Sequence, residues 1–445
     1  MTPTKTLIGF LALGALLSAC APKEEILPGE RVSPRDLATG NTADPSAGAM
    51  GAGVTPVPVS LPAQRATADW PQTGGNPAHL QGNAAFSGAL SPVWTVAIGQ
   101  ASSRKDRISA DPVVAGGRIF TLDAGEGVTA TGTNGGRLWT TNLTPKGDRP
   151  GDGSGGGLAV GEGRLFATTG YGELVALDPA TGAVAWRQGF DAALGGAPTV
   201  AAGKVFVVAR DGSAWAVNAK DGRIAWSQPG APSAVGVTGA SAPAVQGDTV
   251  VFPFASGQLV AAKTADGAVV WQGFVAGARV GRAYAGFSDL TGDPVIVGDT
   301  LYAGSSAGRV TAIDMATGLA RWTAEDGAMS PVVAAGNALF LVNDEDQLLR
   351  LDAATGAVTW RIDLPYFQND KKDVKRKSIF AHYGPVLAGG RLIVASSDGL
   401  VRAFDPASGR LTGSAAVRGG AAAAPVVAGG TLYIVTTSGQ LAAFR

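Results

Sequence analysis

Residues 197–226 contain the unit whose reading decides the fold: Ala197-Pro198-Thr199-Val200-Ala201-Ala202-Gly203-Lys204-Val205-Phe206-Val207-Val208, then Asp211-Gly212, Ala216-Val217-Asn218 and Asp221-Gly222-Arg223-Ile224-Ala225-Trp226. Each apolar run is short, rich in β-branched or aromatic residues, and bounded by glycine-containing pairs. That pattern predicts strands alternating with tight turns, because glycine tolerates the positive φ that hairpins require. The unit recurs along the chain. A hairpin residue and a closing tryptophan lie 14 apart at Gly125/Trp139, Gly172/Trp186, Gly212/Trp226, Gly257/Trp271, Gly308/Trp322 and Asp346/Trp360. A second glycine recurs four residues before each of these tryptophans, at Gly135, Gly182, Gly222, Gly267, Gly318 and Gly356. In the next copy Gly399 is followed at the same distance by Gly413, and the last copy ends at Arg445 soon after Gly439.

Eight copies start at Pro112, Leu158, Pro198, Pro243, Pro294, Pro331, Pro385 and Pro425. The last lacks a closing strand, whereas Trp94 sits in a closing strand with no copy before it. A ring reconciles the two half-copies: residues 91–98 complete the blade begun at Pro425, and closure protects the sheet edges. The expected fold is all-β, an eight-bladed β-propeller of four-stranded antiparallel blades. A linear solenoid, the alternative, leaves both ends uncapped and both half-copies unexplained. The tryptophans are expected to fill the wedge between neighbouring blades, as core rather than as a ligand cage.

Outward from the repeat, the 445 residues balance 35 basic against 35 acidic side chains, which argues against nucleic acid as the main partner. Lys5 precedes an apolar stretch, residues 7–17, too short to cross a bilayer, and Leu17-Ser18-Ala19-Cys20 follows. Small residues before the only cysteine of the chain resemble a bacterial lipobox. Residues 1–19 are thus expected to be a lipoprotein signal peptide and Cys20 the lipidated residue. Ala21, where an aspartate would retain the protein at the inner membrane, implies the periplasmic face of the outer membrane. Residues 20–68, rich in Pro, Ala, Gly and Thr, are expected to form a disordered tether, and 69–445 the propeller.

Chemistry-bearing motifs are sparse. The only histidines are His79 and His382, so no His/Cys metal cluster can form. Gly304-Ser305-Ser306-Ala307-Gly308 matches a nucleophile-elbow pattern, yet it falls on a repeat hairpin and not between strand and helix. Asp178, Asp314, Asp352 and Asp405 recur at one repeat position, four residues before a turn glycine, and read as turn-forming. Gly151 to Gly157 is glycine-rich but opens no helix. No catalytic residue, cofactor or metal is assigned.

The variable parts are the connections from each closing strand to the next blade, long at 140–157, 227–242, 272–293 and 361–384. Such loops share one face of a rigid ring, where binding concentrates. The neighbouring pair 227–242 and 272–293 offers Val235, Val237, Arg279, Arg282, Tyr284, Phe287 and Asp289, a mix suited to a protein interface. The 361–384 connection carries Lys371-Lys372-Asp373-Val374-Lys375-Arg376-Lys377 between aromatic residues; it reads either as a solvated loop or as a contact for acidic lipid or an acidic partner.

The core Ala176-x-Asp178-x-x-Thr181-Gly182-x-x-x-Trp186 resembles the quinoprotein-type propeller repeat. Two families share it, the pyrroloquinoline-quinone dehydrogenases and the BamB outer-membrane assembly lipoproteins. The enzymes place a vicinal cysteine pair against the quinone, and this chain has no cysteine after Cys20. The lipobox, the tether, blades without large insertions and Asp69-Trp70-Pro71-Gln72 together look like the BamB family, over about residues 69–445. The resemblance implies a non-enzymatic scaffold of the outer-membrane β-barrel assembly complex. It would dock on the periplasmic POTRA domains of the BamA-like barrel subunit, with nascent outer-membrane proteins as further partners. It also implies that the docking surface lies on the two neighbouring loops. The family's apolar-x-apolar-Arg-Gly segment matches Val235-Gly236-Val237-Thr238-Gly239, with Thr238 in place of arginine, and its Ser-Asp-x-Asp segment matches Ser288-Asp289-Leu290-Thr291, with Thr291 in place of the second aspartate. Arg279 and Arg282 are expected to compensate for the missing charges. The alternatives are a quinone-dependent dehydrogenase relative and a propeller adaptor of another cell-envelope complex.

Overall fold

The unit at 197–226 forms four strands, Thr199–Ala201, Lys204–Val208, Ser213–Asn218 and Ile224–Pro229, paired antiparallel in chain order. Its second strand is buried almost throughout, whereas the outermost alternates between exposed and half-buried positions. The reason is position: inner strands are covered on both faces by neighbouring blades, so apolar runs are continuous there and alternate only at the rim. The computed structural model describes residues 50–445 except 52, 232, 234–240, 288 and 373–374. Among these, eight four-stranded sheets repeat the arrangement, so the expected propeller is the observed fold. No described helix is long and apolar enough to cross a membrane.

Ring closure follows the expectation. Pro92–Ala97 pairs with Gln440–Phe444 as the fourth strand of blade 8, and Ser91 and Arg445 exchange two backbone hydrogen bonds at 2.7 and 2.9 Å.

The two periodic signals, tryptophan and glycine, are halves of one contact. The indole N–H of Trp186 in blade 2 donates to the carbonyl of Ala219 in the turn of blade 3, at 3.2 Å, and its ring lies against Gly222 of that turn. A Cβ on Gly222, whose φ is +75°, would come within 2.7 Å of the ring. The same bond runs from Trp94, Trp139, Trp226, Trp271, Trp322 and Trp360 to Thr133, Pro179, Thr264, Met315, Ala353 and Pro406 of the following blade. On its own blade the ring packs against an aromatic residue of the second strand, as in Trp186–Phe166 at 5.7 Å and Trp360–Phe340 at 5.9 Å between centroids. Blade 7 alone carries Gly413 in place of tryptophan. In the blade after it the third and fourth strands, Gln440–Phe444 and Pro92–Ala97, are not joined by a hairpin, so it offers no turn carbonyl for an indole to bond.

Residues 50–68, assigned on composition to the disordered tether, are a correction. Arg350 donates to the carbonyls of Val57 and Pro58, at 2.5 and 2.8 Å, and Val54, Val59 and Leu61 pack against the core of blades 6 and 7. Blades 1–5, 7 and 8 place alanine opposite their closing-strand tryptophan or glycine, and only blade 6 places Arg350 there. From Thr67 to Ala84 the chain then circles the ring. Thr67, Trp70, Pro71, Gln72, Pro77, Ala78 and Ala84 hydrogen-bond the innermost strands of blades 8, 1, 2, 3, 4, 5 and 7 in turn. Composition hid this strap because its ordering is offset mainly by backbone hydrogen bonds and not by apolar side chains. The signal peptide, Cys20 and residues 20–49 of the expected tether lie outside the described residues.

Gly222→Ala is expected to combine overpacking of about 1–3 kcal/mol with the left-handed strain of about 1–2 kcal/mol. Gly203→Ala, at φ +70° with nothing within 4 Å, should show the strain alone. Urea unfolding of both variants checks the difference, and equal losses would contradict the tryptophan contact. Arg350→Ala removes two charge-assisted bonds, each of about 1.5–3 kcal/mol; hydrogen exchange should show residues 53–62 deprotected and the blades unchanged.

Candidate docking surface

The connection between the outer strand of blade 4, Val269–Phe274, and the first strand of blade 5, Leu290–Val297, is folded back on blade 5. Arg279 N–H donates to the Ala307 carbonyl at 2.7 Å, Ser306 N–H to the Asp289 carbonyl at 2.9 Å, and Ser306 Oγ to the Phe287 carbonyl at 3.0 Å. A one-turn 3-10 segment, Ala283–Gly286, shapes its middle. The match to a nucleophile elbow is thus a loop-holding hairpin, as its repeat position implies.

Three arginines face three carboxylates beneath this loop. Arg279 grips Asp344 through Nε and Nη2 at 2.7 and 2.9 Å, and Nη2 also lies 3.3 Å from Asp326. Arg282 reaches Glu345 at 2.6 Å, Arg361 reaches Asp326 at 3.2 Å, and the Tyr284 hydroxyl donates to Asp344 at 2.9 Å. Asp344 is 1% exposed and Asp326 5%. Burial pushes the Asp344 carboxyl up, but the Arg279 guanidinium outweighs it and holds the group below its ordinary range. Burial, then the Asp344 charge, push the Tyr284 phenol well up. The geometry is a latch: the loop from blade 4 is pinned to a hairpin of blade 6 by a bidentate pair in a largely water-excluded place.

Of the residues expected to meet a partner, Arg279 and Arg282 are therefore brought together, but into intramolecular pairs. Asp289 is 5% exposed, so its carboxylate faces the protein interior. Val235, Val237 and Thr238 lie outside the described residues. What the loop presents outward is apolar: Val280 is 96% exposed, with Phe287 and, at the end of the preceding strand, Phe274 also exposed. Asp326, Asp344 and Glu345 escaped the sequence reading because they lie 35 to 65 residues from their arginine partners. The one local signal was acidic: Asp344-Glu345-Asp346 occupies a hairpin where other copies carry glycine.

Elsewhere several polar residues hold turns and loops. Asp178 accepts from the backbone N–H groups of Ala180 and Thr181 at 2.8 and 2.9 Å, and Asp314 and Asp352 do likewise, which is the expected turn role. His382 bridges Ser396 Oγ at 2.6 Å and the Pro365 carbonyl at 2.8 Å, with Ser396 fully buried; no substrate can reach that hydroxyl. On the ring axis, Trp70, Gln72 and Thr73 of the strap help to line a cavity of about 390 Å³, together with Asp111 and Asp293. Each aspartate accepts a backbone N–H of the preceding blade, from Ala424 at 2.7 Å and Ala242 at 2.5 Å. Burial raises them to about 6 and about 7. Among the described residues no group of three potential metal ligands forms.

Propeller, quinoprotein-type repeat and loop-bearing face define the class; comparison with known proteins defines the family. The model of the family described as outer membrane protein assembly factor BamB matches residues 124–362 and 369–445. The chain belongs to this BamB family. The Alkalilimnicola ehrlichii outer membrane protein assembly factor BamB is 29% identical over 208 residues, 46% of this chain and 51% of that protein, so the alignment spans about half the relative's length. The crystal structure of BamB from Moraxella catarrhalis superposes with a TM-score of 0.66 at 20% identity, covering 80% of this chain and 99% of that one. Quinohemoprotein alcohol dehydrogenase from Comamonas testosteroni gives 0.65 at 16% identity, covering 84% and 80%, which shows a shared fold alone.

Because the Asp344 carboxyl is depressed when folded, the latch contributes fully above the ordinary carboxylate pKa of about 4. It should be lost as pH falls through the lower folded value. The hydrogen-exchange protection of residues 277–287, taken relative to the intrinsic rate at each pH, should be flat from about pH 8 to 5 and lost below about 4; opening between pH 6 and 7 would contradict the latch.

Proposed function

We propose that this chain is a non-enzymatic scaffold lipoprotein of outer-membrane β-barrel assembly. In this reading residues 1–19 are the signal peptide, Cys20 carries the lipid, and residues 20–49 link it to the propeller on the periplasmic face of the outer membrane. The propeller docks on the POTRA domains of a BamA-like subunit through the neighbouring connections 227–242 and 272–293. No cofactor and no catalytic step enter the reading. Membership in the BamB family supports the role.

The single observation that carries the docking surface is the latched loop. A surface that is rigid before binding loses little ordering entropy on contact. Here two ion-paired arginines, Arg279 and Arg282, fix a loop whose outward side chains, Val280 and Phe287, are apolar. Arg279 and Arg282 then act by positioning the loop, while Val235, Val237 and Thr238 extend the surface from the neighbouring connection. Asp289 serves at the loop's base, its carbonyl holding Ser306. Nascent outer-membrane proteins would meet the scaffold held beside the barrel.

Val280→Asp places a charge at the centre of the proposed contact. Since Val280 is 96% exposed, melting should be unchanged, while affinity for the BamA-like subunit should fall about tenfold or more, as for a central interface residue. Binding measured by calorimetry with purified POTRA domains checks this; an unaltered affinity would sink the assignment of this loop.

A further inference from the structure

The connection from blade 6 to blade 7 builds a basic finger that the docking surface does not use. Its two arms pair through an antiparallel bridge between Phe367 and Ile379, with Gln368 N–H donating to the Ser378 carbonyl at 2.9 Å. Phe380 N–H donates to the Tyr366 carbonyl at 2.8 Å, and the Tyr366 and Phe367 rings meet edge to face at 4.7 Å. The base is therefore ordered. Towards the tip, Arg376 pairs with Asp370 and lies over the Phe367 ring at 5.2 Å, which holds the finger's one arginine inside it.

The four lysines are arranged differently. Lys371, Lys372, Lys375 and Lys377 are all exposed, and none is in an ion pair among the described residues. Beside them Ile379 is 50% exposed. A chain of zero net charge thus carries one concentrated positive tip with an apolar residue at its flank. Residues 370–377 hold five basic side chains against Asp370 and Asp373, and a local excess of like charge of this kind favours an anionic surface. The residue type selects which surface. Protein interfaces are enriched in arginine, whose planar fork fixes geometry, and depleted in lysine. Point-like ammonium groups on flexible stems instead suit a laterally mobile array of phosphate charges, and the exposed isoleucine can enter the headgroup layer.

We propose that this finger is a membrane-contact site that binds the surface of a bilayer containing anionic phospholipid. The proposal draws on the lipid-anchor reading only for the proximity of a bilayer, which makes a weak contact effective by raising the local concentration. Bound in this way, the finger brings the loop-bearing face of the propeller towards the membrane.

Vesicle flotation of the mature chain, residues 20–445 carrying Cys20→Ser, tests it without lipid attachment and without any assembly partner, so the outcome is independent of the docking reading. The probes are vesicles of phosphatidylcholine alone and with about one third phosphatidylglycerol. The chain should float with the anionic vesicles only, and binding should fall as salt rises from about 0.1 to about 0.5 M. Partitioning should drop about fivefold for each lysine lost, so Lys371→Glu/Lys372→Glu/Lys375→Glu/Lys377→Glu should not float. Lys146→Glu/Lys220→Glu, at two other exposed lysines, should float as before. Ile379→Ser should weaken binding without abolishing it. No preference for anionic vesicles, or equal loss in the Lys146/Lys220 control, overturns the proposal. So does failure to float with either vesicle together with salt-sensitive capture of an acidic protein surface by the same lysines.

Discussion

The contact on which the ring depends is an indole from one blade laid over a glycine turn of the next. It satisfies the buried indole N–H, fills the widening gap between two flat sheets, and fixes their relative rotation at once. Glycine is required because any Cβ would occupy the volume of the ring, as at Gly182, Gly222 and Gly356. Repeated around the circle, this one geometry makes each blade the template for its neighbour. Blade 7 shows the dependence from the other side: where the third and fourth strands of the next blade are not joined by a hairpin and there is no such turn, glycine, Gly413, stands in place of the tryptophan.

Rigid blades leave two places for variation, the axis and the loop-bearing face. At the axis the strap of residues 67–84 ties innermost strands together by backbone hydrogen bonds, and Asp111 and Asp293 join blades 1 and 5 to the blades before them. At the loop-bearing face, the connections differ in what holds them. One is pinned by buried ion pairs and shows apolar residues outward; another is a short two-armed finger that shows lysines. This difference in chemistry is the basis for proposing a protein-docking role for the first and a membrane-surface role for the second.

Most of the blade architecture could be read from the sequence, because tryptophan and glycine at fixed spacing are the visible trace of the interblade contact. The eight-fold count and the strand that closes the ring followed from two half-copies. The docking of residues 53–62 on blades 6 and 7 was missed because it uses backbone carbonyls, which composition does not report; Arg350, standing where the other blades carry alanine and donating to Val57 and Pro58, was the available clue. In the 272–293 connection Arg279 and Arg282 were read as partner-facing, and the structure places both in intramolecular ion pairs. Arginine-rich composition does not tell whether a guanidinium faces outward or a carboxylate 65 residues away, and here Arg279 faces Asp344. What remained outward, Val280, drew no attention in sequence because a single valine in a loop is unremarkable until its neighbours are seen to be buried.

The central claim is that the loop-bearing face of this propeller is where a barrel-assembly subunit binds. Cross-linking in native membranes, followed by mass spectrometry of mildly solubilised complexes, addresses it most directly. The account predicts a BamA-like subunit at near-equal abundance, with cross-links clustered in residues 227–242 and 272–293. Enrichment of a different envelope complex, or cross-links confined to the strap side of the ring, would contradict it.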